Sequence, residues 1–284
     1  MSHNPANTPI DMQRLSSILQ TLDFSTPYQL HYFSSIDSTN RYLHDLPASA
    51  ILQLCCSEQQ TAGKGRMLRQ WHSPYAENIY FSGRWPWPAS DIHTISCLSI
   101  IAGMAVIASL SDYPIAPALQ IKWPNDIFWQ GTKLAGILIE LRKNNPADKT
   151  TPSTWEVIIG IGINVNSQPS LDYPQDRSWC ALRNILQNPT ELDRTILLAQ
   201  LIVTLDTHIQ LFQKQGMPAF LNNWQHLDYL RDQYITVSQA SKNISGWARG
   251  INIQGQLLLE DMQGHTTAIY SGEAIFKGPT SHSR

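Results

Sequence analysis

Residues 119–141 read LQIKWPNDIFWQGTKLAGILIEL, and this stretch decides the fold class. Leu119–Trp123 and Ile127–Trp129 are short apolar runs of strand character, joined around Pro124-Asn125-Asp126. A turn at Gly131-Thr132 leads into a third strand, Lys133–Leu141. Gly, Pro, Asn and Asp between β-branched and aromatic runs mark turns rather than helices. Downstream, residues 143–153 (KNNPADKTTPS) read as a polar turn and Trp155–Val165 as a long strand. Strands joined by short turns, with few helices between them, predict a mixed sheet in an α+β arrangement.

Working upstream, Gln29–Ile36, Ile51–Ser57 and Asn78–Trp85 read as strands. Asp37-Ser38-Thr39-Asn40 supplies capping residues for a helix through about Asp45. Ile10, Leu15, Ile18, Leu19 and Leu22 share one face of a short amphipathic helix, while residues 1–9 are polar and predicted loose. Ile92–Leu110 predicts an apolar helix buried on most of its circumference, and Leu192–Lys214 a second long helix closed by Gly216. Beyond residue 230, Tyr234–Val237, Ile244–Ile251, Leu257–Leu259, Thr266–Tyr270 and Ala274–Phe276 are closely spaced strands that suggest a small barrel. The expected organisation is an N-terminal extension (1–28), a large domain (29–230) and a small domain (231–278).

Composition narrows the function. A net charge of −2, from 20 basic and 22 acidic residues, argues against a general nucleic-acid binder. The four cysteines, Cys55, Cys56, Cys97 and Cys180, form neither a CxxC pair nor a disulfide framework, and no HxxxH or HExxH spacing occurs. Reduced thiols and no structural metal are expected. The start lacks a signal-peptide pattern, and the apolar stretch Leu98–Leu110 is too short for a bilayer, which takes about 20 residues. A soluble cytoplasmic protein is expected, without membrane contact.

Four segments carry chemistry. Thr61–Trp71 alternates glycine with Lys64, Arg66 and Arg69, so its backbone and cations can meet a carboxylate or phosphate, or it is a solvated basic turn. It is not a P-loop. Lys122, Asp126 and Lys133 stand among apolar strands, where charges need partners. Lys122 and Asp126 read as an ion pair bracketing the proline turn. Lys133, at the head of an apolar strand, reads as an ammonium offered to a carboxylate in a cleft. With period two, Gly160, Gly162, Asn164 and Asn166 share one strand face. Two glycines there signal a close ligand or backbone, or tight helix packing. Ser38-Thr39-Asn40 reads first as a helix cap, and can also aim hydroxyls and N–H groups at a polar ligand.

Together and in this order, these motifs resemble the biotin–protein ligases over residues 30–277, with Lys122–Asp126, Lys133–Leu138, Gly160–Asn164, Trp247–Ile251 and Ser271-Gly272-Glu273 contributing. The resemblance implies a catalytic domain related to class II aminoacyl-tRNA synthetases, followed by an SH3-like barrel. It implies a reaction through biotinyl-5′-AMP, with Mg²⁺ accompanying ATP, and transfer to a lysine of a biotin carboxyl carrier domain. It assigns Ser38, Thr39, Asn40, Gln60, Gly63, Lys64, Gly65, Arg66, Lys133 and Gly136 to biotin. Arg66, Arg69, Trp71, Asn125 and Asn164 fall to the nucleotide, and Arg66, Lys133 and Asp126 to catalysis. Asp126 is the candidate for handling the acceptor lysine, which must lose a proton to attack.

Two departures stand out. The family loop usually reads GRGRxGR; here Lys64 replaces its first arginine and Leu68 its last glycine. Some members carry an N-terminal winged helix-turn-helix of roughly 60 residues that represses transcription. Only about 30 residues precede the match here, so no repressor role and no nucleic-acid partner are expected. A homodimer is compatible with an exposed sheet edge. The rival readings are a lipoate–protein ligase and a non-catalytic effector-binding protein.

Overall fold

Alternation along the strands separates two faces of one sheet, and the site lies on the less apolar face. The computed structural model describes residues 8–88, 94–144, 154–168, 178–186, 192–239 and 242–276. Seven strands form the larger sheet: β1 (Tyr28–Phe33), β2 (Leu52–Ser57), β3 (Ile79–Trp87), β4 (Leu119–Lys122), β5 (Asp126–Trp129), β6 (Thr132–Asn144) and β7 (Thr154–Ile163). Their order is β1-β2-β3-β7-β6-β5-β4. β1 and β2 are parallel and every other pairing is antiparallel, so the sheet is mixed, as the sequence predicts.

On one face, Leu52, Leu54 and Cys56 of β2, Ile79, Phe81 and Trp85 of β3, and Val157, Ile159, Ile161 and Ile163 of β7 enter the main core. This face is covered by α1 (Met12–Thr21), α3 (Ile95–Ser109) and α5 (Arg194–Gln215). Asp193 caps α5 by accepting from the N–H groups of Thr195 and Ile196. Gly216, at φ +67°, ends it in a conformation that glycine adopts without a Cβ penalty. Among the described residues α5 is the one helix long and apolar enough to cross a membrane, while α3, which contains most of the Leu98–Leu110 stretch, is too short. Leu197, Leu198, Leu201, Leu205 and Ile209 of this helix are buried in the protein core instead. Leu15 and Leu19 of α1 join the same core.

The opposite face carries α2 (Thr39–Asp45), held by a small cluster of Leu43, Cys55 and Ile158. All four cysteines are buried and free, and burial pushes the thiols of Cys56 and Cys97 up to about 12.

The second sheet comprises β8 (Tyr234–Ser238), β9 (Asn243–Ile251), β10 (Leu257–Glu260), β11 (Thr266–Ile269) and β12 (Glu273–Phe276), all antiparallel in the order β11-β10-β9-β8-β12. It abuts the first domain where Trp123 Nε1 donates to Gly255 O at 3.0 Å and Ser96 Oγ to Gln254 O at 2.7 Å. Two short helices escape the sequence pattern, α4 (Leu182–Ile185) and α6 (Leu221–Leu227), each too brief for a periodic signal. The expected polar turn at 143–153 is partly corrected. β6 extends through Lys143 and Asn144, paired with Trp155 and Thr154, and the rest lies outside the described residues.

Candidate functional site

A cavity of about 720 Å³ opens over the β3, β7 and β6 face, between the start of α2, the basic loop and β12. Its walls include Ser38, Thr39, Asn40, Gln60, Lys64, Gly65, Arg66, Arg69, Trp71, Asn125, Asp126, Lys133, Gly136 and Asn164. Every candidate site residue except Gly63 therefore borders one space, although the sequence spreads them over more than 120 positions. Gly63 lies just behind, where a Cβ would stand 2.9 Å from Trp71 O and 3.0 Å from Gln60 Nε2. That is space only glycine leaves.

The floor differs from the simplest expectation. Gly160 and Gly162 do share a face, but protein side chains fill the space they clear. A Cβ on Gly160 would stand 2.2 Å from Asn40 Oδ1, and one on Gly162 2.4 Å from Trp71 Cε2. Gly136, paired with Gly162 across the sheet, also lies under Trp71, at 2.9 Å from Cζ3. The glycines thus seat an amide and an indole that in turn form the cavity surface.

At one end the polar groups interlock. Ser38 Oγ caps α2 by accepting from Arg41 N at 3.4 Å, so the cap reading of this residue holds. Gln60 Oε1 accepts from Thr39 N at 2.9 Å and Thr39 Oγ1 at 3.1 Å, which occupies the N–H expected to face a ligand. Asn40 donates from Nδ2 to Glu140 Oε2 at 2.7 Å and accepts at Oδ1 from Ser82 Oγ at 2.6 Å. Ser82 and Glu140 escape sequence reasoning because their partner lies 42 and 100 positions away.

In the middle, Lys133 Nζ meets Asp126 Oδ1 at 2.7 Å, each side chain about one-fifth exposed. Lys122 stands opposite Asp126 across β4 and β5 with its Nζ 5.2 Å from the Phe128 ring, while Lys133, opposite Phe128 in β6, brings its ammonium to the Asp126 carboxylate. Lys133 Nζ also stands 5.2 Å from the centre of the Trp71 ring. Asn125 is spent on the scaffold, donating to Ile137 O at 2.8 Å and accepting from Arg66 at 3.2 Å.

The basic loop is clamped. Gly65 N donates to Arg69 O at 2.7 Å, and Trp71 N to Gly63 O at 2.9 Å. Arg66 reaches Gly272 O at 3.3 Å, and burial lowers its affinity for the proton while Asp126 and Glu273 oppose that shift. Arg69 grips Glu273 of β12 with both guanidinium nitrogens. Met67 and Leu68 form the tip, at φ +55° and +59°, with Leu68 89% exposed. Leucine here occupies the left-handed region that glycine adopts freely.

At the far end, Asn164 Nδ2 donates to Cys180 O at 3.1 Å. Ser178 and Trp179 close this wall, where Lys133 N donates to Ser178 O at 3.1 Å. Phe128 and Tyr229, with ring centroids 4.9 Å apart, line another side. No sequence motif marked Trp179, Phe128 or Tyr229, and tertiary packing alone gathers them. Among the described residues no group of three His, Cys, Asp or Glu side chains could hold a metal ion.

Residues 32–164 match the family model described as the biotin/lipoate A/B protein ligase family. The chain is 34% identical over 253 residues to the bifunctional ligase/repressor BirA of Escherichia coli strain K12, covering 89% of this chain and 74% of that one. It is 27% identical to the biotin–[acetyl-CoA-carboxylase] ligase of Mycobacterium tuberculosis, covering 77% of each. The fold is similar to the biotin protein ligase of Aquifex aeolicus in complex with biotin and ATP, with a TM-score of 0.71 at 23% identity, covering 87% of this chain and 97% of that one. The chain belongs to the biotin/lipoate A/B protein ligase family and, within it, is a biotin–protein ligase.

Proposed function

We propose that the cavity joins biotin to ATP as biotinyl-5′-AMP, then transfers the biotinyl group to a lysine of a biotin carboxyl carrier domain. The observation that carries this reading is the Lys133–Asp126 pair, set in one cavity between a neutral polar end and the Arg66 loop. At about 720 Å³ the space lies within the range of roughly 300–1,000 Å³ used for small-molecule ligands.

In the first step the biotin carboxylate attacks the α-phosphorus and pyrophosphate leaves. Two anions must approach each other, so cations fixed in advance lower the barrier. Lys133 turns from Asp126 to the carboxylate or phosphate, and Arg66 and Lys64 carry the developing charge. Thr39 and Gln60, with Ser38 and Asn40 behind them, hold the ureido end. Trp71 and Asn164 border the nucleotide. Mg²⁺ held by the ATP phosphates would supply further positive charge against the developing anion, beside Arg66, Lys64 and Lys133.

In the second step the lysine amine attacks the acyl carbonyl and AMP leaves. Asp126, released from Lys133, accepts the proton of the incoming ammonium. The C-terminal sheet serves as the SH3-like domain of the family and holds the loop through Glu273.

The deciding experiment incubates the chain with biotin, Mg-ATP and a biotin-carrier domain and reads intact mass. A gain of one biotinyl group is expected. No gain, or a gain only when lipoate replaces biotin, overturns the reading.

A further inference from the structure

The guanidinium of Arg84 is 1% exposed and lies on the same face of β3 as Ser82, two residues away. Its Nη1 donates to Leu43 O at 2.7 Å and Leu46 O at 3.0 Å, and Nη2 to Pro47 O at 2.6 Å. Leu43 belongs to the last turn of α2 and Leu46 is its C-cap. The final carbonyls of a helix have no partner within it, and a cation there also complements the helix dipole. Arg84 therefore replaces water at a buried helix end. Its own charge is met by Glu156, whose Oε1 lies 3.5 Å from Arg84 Nε while Oε2 faces Arg142 at 3.3 Å. Arg142 also donates to Leu46 O.

The other end of α2 rests on the same strand. Ser82 Oγ contacts Thr39 Oγ1 at 2.7 Å and Asn40 Oδ1 at 2.6 Å. Residues two apart on a strand are about 6.7 Å apart, and a seven-residue helix is about 10 Å long, so one strand can grip both ends of α2. A helix this short has little stability of its own. Its place over the cavity, and with it the place of Ser38, Thr39 and Asn40, is set by these two grips together with the Leu43–Cys55–Ile158 cluster and the hydrogen bonds to Gln60 and Glu140.

We propose that Arg84, backed by Glu156 and Arg142, is a positioning residue that sets the affinity of the α2 end of the cavity for biotin without touching either substrate. This rests on the functional reading above. Small displacements of positioning groups have large kinetic effects, with about 1 Å costing up to roughly a hundredfold. The far wall at Asn164 and Trp179 is held by β6 and the 178–180 segment rather than by α2, through Asn164 N to Leu134 O, Asn164 Nδ2 to Cys180 O and the bridge between Lys133 and Trp179.

The test is steady-state ATP–pyrophosphate exchange driven by biotin, with full-length Arg84→Met and Arg84→Lys. For Arg84→Met the KM for biotin should rise tenfold or more, while the KM for ATP and kcat stay within about twofold. Arg84→Lys keeps the charge but not the fork, so it should fall between. Arg142→Met removes the contacts to Leu46 O and Glu156 Oε2 but leaves Arg84 in place; it keeps the test open should the Arg84 variants fail to fold, and should raise the biotin KM about threefold. An unchanged biotin KM in a folded variant overturns the proposal. So does an equal loss in both KM values and kcat, which marks general loosening. Wild-type protein that shows no biotin-dependent exchange overturns the functional reading instead.

Discussion

Arg69 and Glu273 stand 204 positions apart in the chain yet form a two-pronged ion pair, with Nη1 to Oε1 at 3.0 Å and Nη2 to Oε2 at 2.6 Å. The pair ties the basic loop of the first domain to the last strand of the second. Partly exposed pairs add about 0–1 kcal/mol to stability, so its main effect is on the order of the loop. Glu273→Ala should shift the melting temperature little. Trypsin should cut within 64–69 several-fold faster, as followed by mass spectrometry, and KM for both small substrates should rise. An unchanged cleavage rate would show that the loop needs no tether.

The Lys133–Asp126 pair separates the two half-reactions. Lys133→Ala should reduce adenylate formation at least a hundredfold, measured by pyrophosphate release, and leave the circular dichroism spectrum intact. Asp126→Asn should keep adenylate formation within about fivefold and slow transfer to the carrier lysine at least tenfold. Equal losses in both half-reactions for Asp126→Asn would remove it from the transfer step.

Gly160→Ala tests the packing of the floor. The new methyl would stand 2.2 Å from Asn40 Oδ1, and Asn40 is held by Ser82 and Glu140 and only 6% exposed. Overpacking of this kind costs about 1–3 kcal/mol, or roughly 3–10 °C in a domain of this size. Thermal unfolding should show that drop. A melting temperature equal to wild type would mean that Asn40 moves freely.

Asp228 gives a pH dependence with a defined sign. Burial raises its carboxyl from the usual 3.8 to about 6, partly countered by the hydrogen bond from Leu230 N. Between about pH 4 and 6 the folded chain keeps a proton that the unfolded chain has released. Its contribution to stability is therefore full below pH 4 and lost as the pH rises through 6, by about 3 kcal/mol at most. Urea unfolding at pH 4.5 and 7.5 should show this fall, and Asp228→Asn should flatten it. A slope unchanged in the variant would assign the effect to other groups.

Much of the fold was legible because its strands carry strong local patterns. Residues 119–141 announced three strands through turn residues, and β2, β3 and β7 alternate cleanly between the core and the site face. The short helices α4 and α6 were not legible, since four and seven residues hold too little periodicity. For the site, residue types could nominate Lys133, Arg66 and Gly160, because charge among apolar strands and glycine within a strand are local anomalies. They could not choose partners.

The sequence by itself determined the strands and the longer helices, the mixed sheet and the set of chemical groups, because propensity, period and turn chemistry act over a few residues. Only the tertiary structure decided that Asp126 meets Lys133, that Asn40 and Trp71 fill the glycine floor, and that Arg69 reaches Glu273. Pairing between distant groups depends on sheet register and domain contact, and no local pattern in the chain encodes either.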